Sequence, residues 1–397
     1  MIKISCFLLP LLLGTAGAAL PPTTVNPIPV NPMNAPPLTL DGACKERPGP
    51  SRTADALPAS RPSVPLPAVV SGRVAFYAVR TDALGRAQEE VTLGNVDRTL
   101  PLASAYKTAV LYGALKDVDS GRLSLTQTFV STASNRSIED YPAGRNSLLT
   151  LARRAIRSSD NTAADILHLA VTPPRIAALA SSLDPCANVY LTSKALWSAL
   201  AGLSPAVIDP ASPETMLRSA RAYAALPAPE KLRQAAVLNA RAQTLHPDLV
   251  LRQLERYFTG ANYNPDNDTS LLNSSTPRGW AGLMGRAFLP GALKPGSSAL
   301  FRQIMATGCC NKPTTPVPFP LSYWGSKAGS GWRLLVLTGH MELPGGAGIN
   351  YAYVNTESGT QDSLEIERQI RPVLNWIVAS VAPLGREDAG KTAGSKR

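Results

Sequence analysis

Strand-like segments lie near both ends of this 397-residue chain. On the N-terminal side, residues 72–80 are rich in β-branched and aromatic side chains, and a turn separates them from a second such run at 89–93. Three further runs of this kind lie towards the C-terminus, at residues 321–327, 332–337 and 349–354. Both ends of the chain therefore supply strands.

A long helical stretch separates these two groups of strands. Residues 176–257 are helical by pattern, with breaks at Asp184-Pro185, Ser204-Pro205 and Leu226-Pro227. For the early and late strands to share a sheet, this middle must be an insertion that forms its own lobe. We therefore predict an α+β fold. It has an antiparallel sheet with flanking helices, built from both chain ends, plus an inserted all-helical lobe, and its last helix covers residues 362–381.

The N-terminus has the pattern of a signal peptide. Lys3 supplies the positive charge, residues 4–13 form a short apolar core, and Ala16-Gly17-Ala18 is a small-residue cleavage site. We predict a signal peptide over residues 1–18 and a secreted or periplasmic protein after its cleavage. The apolar run is too short to span a bilayer, and no later stretch is long enough, so we expect no integral membrane segment.

Three segments follow the predicted signal peptide. Residues 19–66 are rich in proline without apolar periodicity, which predicts an extended linker. Residues 67–384 carry all the periodic patterns and form the predicted folded domain. Residues 385–397 are predicted to be a disordered tail.

The net charge of +11 is scattered along the chain. No stretch combines basic and aromatic residues as a nucleic-acid arm does, so we expect no nucleic-acid partner. We also expect a monomeric protein.

Four cysteines remain once Cys6 leaves with the signal peptide. They are Cys44, Cys186, Cys309 and Cys310. In an oxidising compartment they could form two disulfides, and the sequence does not choose among the three pairings. Their spacing is not that of a metal site, and we expect neither a metal nor a cofactor.

The first motif with chemical potential is Ser104-Ala105-Tyr106-Lys107, at the start of an apolar run that ends near Gly121. Residues three apart on a helix share one face, so the Ser104 hydroxyl and the Lys107 amine can meet. This pairs a nucleophile with a base, provided that the lysine is held neutral. The motif by itself is weak evidence, because such a tetrad is expected by chance in a chain of this length.

Two further motifs follow in order. Ser159-Asp160-Asn161 lies between two predicted helices, and these residue types also cap helices, so an ordinary connection explains them equally well. Lys327-Ala328-Gly329-Ser330 lies at the end of a late strand. The trio Ser-x-x-Lys, Ser-Asp-Asn and Lys-x-Gly is found in this order in class A β-lactamases and penicillin-binding proteins.

With these motifs the chain resembles the class A β-lactamases, serine hydrolases of the β-lactamase and penicillin-binding-protein superfamily. The similarity extends to Gly121-Arg122-Leu123-Ser124-Leu125, Asn161-Thr162-Ala163-Ala164 and Ser275-Thr276-Pro277, and it covers roughly residues 67–384. Three motifs in order, each in the expected strand, loop or helix context, are strong evidence together.

The resemblance implies three catalytic residues. Ser104 would be acylated by the substrate carbonyl, Lys107 would assist in removing the hydroxyl proton, and Ser159 would pass a proton towards the leaving nitrogen.

The resemblance also implies four substrate-binding residues. Asn161 would bind the side-chain amide of the substrate, and Lys327 would attract its carboxylate and keep Lys107 neutral. Gly329 belongs to the same strand, and the backbone N–H groups of Ser330 and Ser104 would form the oxyanion hole.

The chain departs from the class A pattern in two places. The class A loop with its deacylating glutamate has no clean copy; the nearest is at Glu214, which we interpret as a first-turn helix residue. Ala328 stands where the family has a hydroxyl that helps to hold the carboxylate. We therefore expect a hydrolase of β-lactams or related acyl substrates with slow deacylation. The alternatives are a cell-wall peptidase or esterase, or a β-lactam-binding sensor domain without turnover.

Overall fold

The computed structural model describes residues 44, 57, 59–138, 143–308 and 310–386. The predicted signal peptide, most of the predicted linker and residues 387–397 of the predicted tail lie outside these ranges.

The strands of the described ranges are β1 (Ala59–Ser60), β2 (Arg73–Thr81), β3 (Ala87–Leu93), β4 (Leu100–Pro101), β5 (Thr128–Ser131), β6 (Gly144–Ser147), β7 (Ser274–Ser275), β8 (Tyr323–Gly331), β9 (Leu334–Glu342) and β10 (Gly348–Thr356). The helices are α1 (Lys107–Asp119), α2 (Leu148–Arg157), α3 (Asn161–Val171), α4 (Pro173–Leu183), α5 (Ser193–Leu200), α6 (Pro213–Ala224), α7 (Ala228–Thr244), α8 (Pro247–Thr259), α9 (Pro265–Leu271), α10 (Pro277–Phe288), α11 (Pro295–Met305), α12 (Ser363–Glu367) and α13 (Ile370–Val381).

The central sheet joins the two ends of the chain. Its strand order is β1-β3-β2-β10-β9-β8, so the early strand β2 lies directly beside the last strand, β10. These two strands pair antiparallel from Arg73 opposite Thr356 to Thr81 opposite Gly348. The other neighbours are also antiparallel except β1, which pairs with β3 in parallel. The predicted sheet, built from both chain ends, is confirmed.

Helices cover both faces of this sheet. Successive residues of a strand point to opposite faces. On β9, Val336 accordingly lies in a core shared with helices α1 and α10, whereas Leu335 and Leu337 lie in a second core on the other face. Trp376 of α13 packs edge-on against Tyr353 in that second core, with the ring centroids 6.0 Å apart. Burial on both faces explains why the late strands are nearly continuous apolar runs.

The helices α5 to α9 form the inserted lobe. Leu196, Met216, Leu238 and Tyr257 lie in an apolar core that is separate from the two cores beside the sheet. The predicted breaks at Asp184-Pro185, Ser204-Pro205 and Leu226-Pro227 all fall between helices. The predicted helical insertion is therefore confirmed, although its bounds are 193–271 rather than 176–257, because Ile176 and Ala180 of α4 pack in the core beside the sheet.

Three local features differ from the sequence-based expectation. Ser104 lies in a 3-10 turn over Ala103–Tyr106, and the α-helix begins only at Lys107. The predicted helix at 362–381 is two helices, α12 and α13; Pro372, in the first turn of α13, has no N–H to donate to a preceding turn. Helix α11 was not predicted from the sequence.

The described part of the predicted linker joins the domain. Ala59 and Ser60 pair with β3, and Val64 and Leu66 pack against the second core. The folded domain thus begins before residue 67, the predicted boundary.

No helix in the described ranges is both long enough and apolar enough to cross a bilayer. The bent pair Asn161–Val171 and Pro173–Leu183, which turns by 92°, meets the criterion only when the two helices are taken together.

A disulfide joins Cys44 to Cys186, residues separated by 142 positions. This is one of the three pairings that the sequence left open. Cys310 is buried, and Cys309 lies outside the described residues. The bond fastens the N-terminal segment to the loop after α4.

We expect the Cys186→Ser substitution to lower the free energy of unfolding by about 2–5 kcal/mol, because the cross-link restricts the unfolded chain over a long loop. Urea denaturation of the oxidised proteins measures the difference. The reduced wild-type protein should unfold at the same urea concentration as the variant. Equal stability of the oxidised wild type and the variant would contradict the expectation.

Candidate active site

The turn that carries Ser104 is held in an unusual backbone conformation. Ala103 has a φ of 42°, in the left-handed region that residues with a side chain rarely occupy. The N–H of Leu102 donates to the Asn273 carbonyl at 2.9 Å, which fixes the turn to the end of the helical lobe. Ser104 itself is half-buried. Strain of this kind is often found at functional sites.

The connection between α2 and α3 brings the second motif to Lys107. Asp160 acts as the helix cap, accepting from the Ala163 N–H at 2.9 Å. The side chains of Ser159 and Asn161 contact Lys107 instead. The Lys107 amine donates to Asn161 Oδ1 at 2.5 Å, to Ser159 Oγ at 3.3 Å and to the Ser159 carbonyl. Of the three motif residues Ser159, Asp160 and Asn161, Asp160 is the one that caps helix α3.

Lys327 of β8 reaches the same serine from the sheet. Its amine donates to Ser159 Oγ at 2.9 Å, so one hydroxyl oxygen accepts from both lysines. Both lysine side chains are fully buried. Burial and mutual repulsion disfavour two positive charges this close together, which favours a neutral amine on one of them. With both lone pairs of its oxygen occupied, the Ser159 O–H is left to donate its own proton.

Gly329 lies against the backbone of the Ser104 turn. A Cβ at this position would lie 2.5 Å from the Ser104 nitrogen and 2.8 Å from both the Ala103 Cβ and the Leu102 carbonyl oxygen. Only glycine permits so close an approach of strand β8 to the turn. The glycine of the third motif therefore sets the position of the nucleophile turn relative to β8.

The two residues beside Gly329 differ in their surroundings. Ala328 is buried in the second core, next to Leu337. Its methyl group thus packs among apolar side chains at the position where the resemblance predicts a hydroxyl. The Ser330 hydroxyl donates to the Glu367 carboxylate of α12 at 2.6 Å. Glu367 was not predicted as a site residue. Its carboxylate lies beside Ser330 of β8, where a substrate carboxylate would be expected.

A small cavity of about 60 Å³ adjoins the Ser104 turn. Trp332, after β8, and Phe258, of the helical lobe, stack with their ring centroids 5.1 Å apart and form an aromatic wall. The residues that line the cavity include Ser104, Tyr106, Asn161, Ser193, Phe258, Asp268 and Trp332. The helical lobe therefore supplies much of the surface around Ser104.

Helix α5 contributes a further polar group beside Asn161. The Ser193 hydroxyl lies 3.3 Å from Asn161 Oδ1 and 2.8 Å from the Tyr106 hydroxyl. The Asp165 carboxylate accepts from the backbone N–H groups of Ser193 and Lys194 at 2.6 and 2.9 Å, and so positions the start of α5. Burial raises the pKa of the Asp165 carboxyl.

Asn273 is a structural anchor that sequence reasoning missed. Its side-chain oxygen accepts from the N–H groups of Tyr190 and Leu191 at 3.0 Å, and its amide donates to the Leu191 carbonyl at 2.7 Å. Together with the backbone bond to Leu102, these contacts tie the lobe to the nucleophile turn. The only sequence signal was its place before Ser275-Thr276-Pro277.

Glu214 lies on the protein surface. It is exposed in the first turn of α6 and accepts from the Ser212 hydroxyl at 2.7 Å. It does not line the cavity beside Ser104. The interpretation as a first-turn helix residue is confirmed.

Comparison with solved structures identifies the fold. A variant of the last common ancestor of Gram-negative class A β-lactamases is 18% identical, with a TM-score of 0.50 over 78% of this chain and 92% of that one. The β-lactamase of Sphaerobacter thermophilus is 19% identical, with a TM-score of 0.50 over 79% and 92%. A class A representative from Bacteroides cellulosilyticus is 18% identical, with a TM-score of 0.50 over 80% and 94%. The fold is that of the class A β-lactamases.

A comparison of the sequence with protein-family models shows the family to which the chain belongs. The model of the beta-lactamase enzyme family matches residues 71–339, more than half of the chain. The chain belongs to this family, and the resemblance inferred from the three motifs is confirmed. No curated protein matched the sequence.

Proposed function

We propose that the protein is an exported serine hydrolase that is acylated at Ser104 by β-lactams or related acyl compounds and deacylates slowly. The observation that carries this proposal is the Ser159 hydroxyl, whose oxygen accepts from both the Lys107 and Lys327 amines. A half-buried hydroxyl between two buried amines is arranged for proton transfer. An ordinary helix connection needs no such arrangement.

An amine that donates three hydrogen bonds is protonated, so in the proposed reaction Lys107 first loses a proton to solvent. The neutral amine then takes the proton of the Ser104 hydroxyl as its oxygen attacks the substrate carbonyl. The N–H groups of Ser104 and Ser330 stabilise the negative oxygen of the intermediate. Ser159 gives its proton to the leaving nitrogen as the bond from that nitrogen to carbon breaks, and Lys107 returns a proton to Ser159. The product of this half-reaction is an acyl ester on Ser104.

Substrate recognition would use both sides of the site. Asn161 would donate its amide N–H to the acyl side chain, and the aromatic wall of Phe258 and Trp332 favours an apolar or aromatic acyl group. On the leaving-group side, Lys327 would attract a carboxylate, but Glu367 on Ser330 opposes it.

Two features of the leaving-group side of the site favour a second candidate function. Glu367 beside Ser330, together with the apolar setting of Ala328, weakens the part of the site that would hold a carboxylate. An esterase for acyl groups without a carboxylate fits these two features better than a penicillinase does.

The test is a burst experiment at pH 7 with a chromogenic cephalosporin. We expect release of one equivalent of product per enzyme, followed by a much slower steady phase, because acylation outruns hydrolysis. Mass spectrometry during the slow phase should find the adduct on the peptide that contains Ser104. A chromogenic aryl ester without a carboxylate, measured in parallel, decides between the two functions. Absence of both burst and adduct with either compound would refute the proposal.

A further inference from the structure

Asp268 is a buried carboxylate of the helical lobe. It lies on α9, its side chain borders the same cavity as Ser104, and the residue is only 8% exposed. Its Oδ1 atom has no hydrogen-bond partner within the part of the chain that the structure describes. An ionisable group left unpaired in the interior costs stability, so its presence calls for a reason other than folding.

Helix α9 connects to the nucleophile turn over a short path. It ends at Leu271, two residues before Asn273, whose carbonyl accepts the N–H of Leu102. Leu102 in turn lies two residues before Ser104. Asp268 is therefore carried by an element that is fastened to the Ser104 turn, and both border the same cavity.

The neighbouring carboxylates of the lobe are placed differently. Asp266, on the same helix, is exposed and paired with Arg221, and Glu214 is exposed on α6. Neither borders the cavity. Among these three acidic groups of the lobe, only Asp268 is positioned to act on a group bound at Ser104.

The titratable groups that face Asp268 are tyrosines. Burial raises the pKa values of Tyr257 of α8 and Tyr263 of the following loop, and the nearby Asp268 charge raises them further. Tyr106 borders the cavity from the Ser104 turn. Arg333 lies beyond Tyr263 and acts on that tyrosine. Burial raises the pKa of the Asp268 carboxyl to about 8. The group is thus mostly protonated at pH 7 and becomes a base just above it.

We propose that Asp268 is the general base for deacylation, activating the water that hydrolyses the acyl group on Ser104. This inference rests on the proposed acyl-Ser104 intermediate. The cavity volume of about 60 Å³ exceeds what one water molecule needs.

The proposed step forms one bond, breaks one bond and relays one proton from water to Ser104 Oγ. The Asp268 carboxylate takes the proton from water, and the water oxygen bonds to the acyl carbon. The proton passes from Asp268 through solvent to the neutral Lys107 amine, which gives it to Ser104 Oγ as the bond from the acyl carbon to Oγ breaks. The products are a free acid and the original enzyme.

The test separates acylation from deacylation in Asp268→Asn, which keeps the size of the side chain. With the chromogenic substrate that gives a burst, we expect the burst to be unchanged and the steady phase to slow by about 10²-fold or more. The wild-type steady phase should rise between pH 7 and 9 with a midpoint near 8, and this rise should vanish in the variant. Asp266→Asn, the exposed control on the same helix, should behave as the wild type.

The outcomes distinguish this inference from the proposed function. A wild-type protein without a burst would refute the acyl-Ser104 proposal itself. A normal burst with an equal steady rate in folded Asp268→Asn would refute the role of Asp268 alone. The wild-type pH profile is independent of whether the variant folds, and a flat steady phase from pH 7 to 9 would equally overturn the role.

Discussion

Ser104→Ala should give no covalent labelling by a fluorescent penicillin while the protein remains folded. The substitution removes the only atom that the proposed mechanism acylates, and loss of a serine nucleophile typically lowers turnover by about 10⁶-fold. The Ser104 side chain is half-buried at a cavity, so its loss should leave the cores intact. Labelling on a denaturing gel, with thermal unfolding measured in parallel, checks both parts.

The matched control is Ser120→Ala, at the other end of helix α1. The Ser120 hydroxyl is exposed and donates to the Asp117 carbonyl, far along the helix from the turn. This variant should label as the wild type does. If a folded Ser104→Ala protein still became labelled, the nucleophile would be another residue and the whole proposed mechanism would fail.

The sequence predicts the fold well because the elements here follow local patterns. The strand at 72–80 is β2, the cap at Ser147 starts α2, and the Pro277 helix is α10, each within a residue or two. The shared sheet could be inferred because strands at both chain ends need partners. Helix α11 was missed because its proline and glycine at residues 295 and 296 are also typical of a loop.

The central contacts of the candidate site could be anticipated only through the resemblance. Ser159 lies 52 residues from Lys107 and 168 from Lys327 along the chain, and no local pattern predicts that one hydroxyl accepts from both amines. The fold brings together the side chains of Lys107, Ser159, Asn161 and Lys327, which come from all three motifs. Their chemical roles remain predictions.

The residues that were missed depend on packing between distant elements. Asp268 resembles any acidic residue in a first helical turn, and only burial by α8 and the aromatic wall makes it unusual. Glu367 lies on a surface helix and gains significance from its bond to Ser330. Composition and spacing carry no signal for either, since both effects arise from the tertiary structure.

Gly329→Ala should lower the rate of acylation at Ser104 by about 10²-fold or more, since small displacements of a catalytic group have effects of this size. The added methyl would meet the Ser104 nitrogen at 2.5 Å, and its neighbours there include backbone atoms of the turn, which cannot rotate away as a side chain can. Strand β8 and the turn must separate, which displaces both N–H groups of the proposed oxyanion hole. The single-turnover rate with the chromogenic cephalosporin measures the loss.

The control for Gly329→Ala is two residues further along the same strand. A Cβ at Gly331 would meet only the Leu334 side chain, at 3.7 Å, an ordinary van der Waals contact. Gly331→Ala removes the same backbone freedom from β8 without crowding the turn, so it should acylate at nearly the wild-type rate. Equal losses of acylation rate in the two variants would contradict this prediction. They would mean that the flexibility of strand β8 controls the rate, and not the close contact of Gly329 with the Ser104 turn.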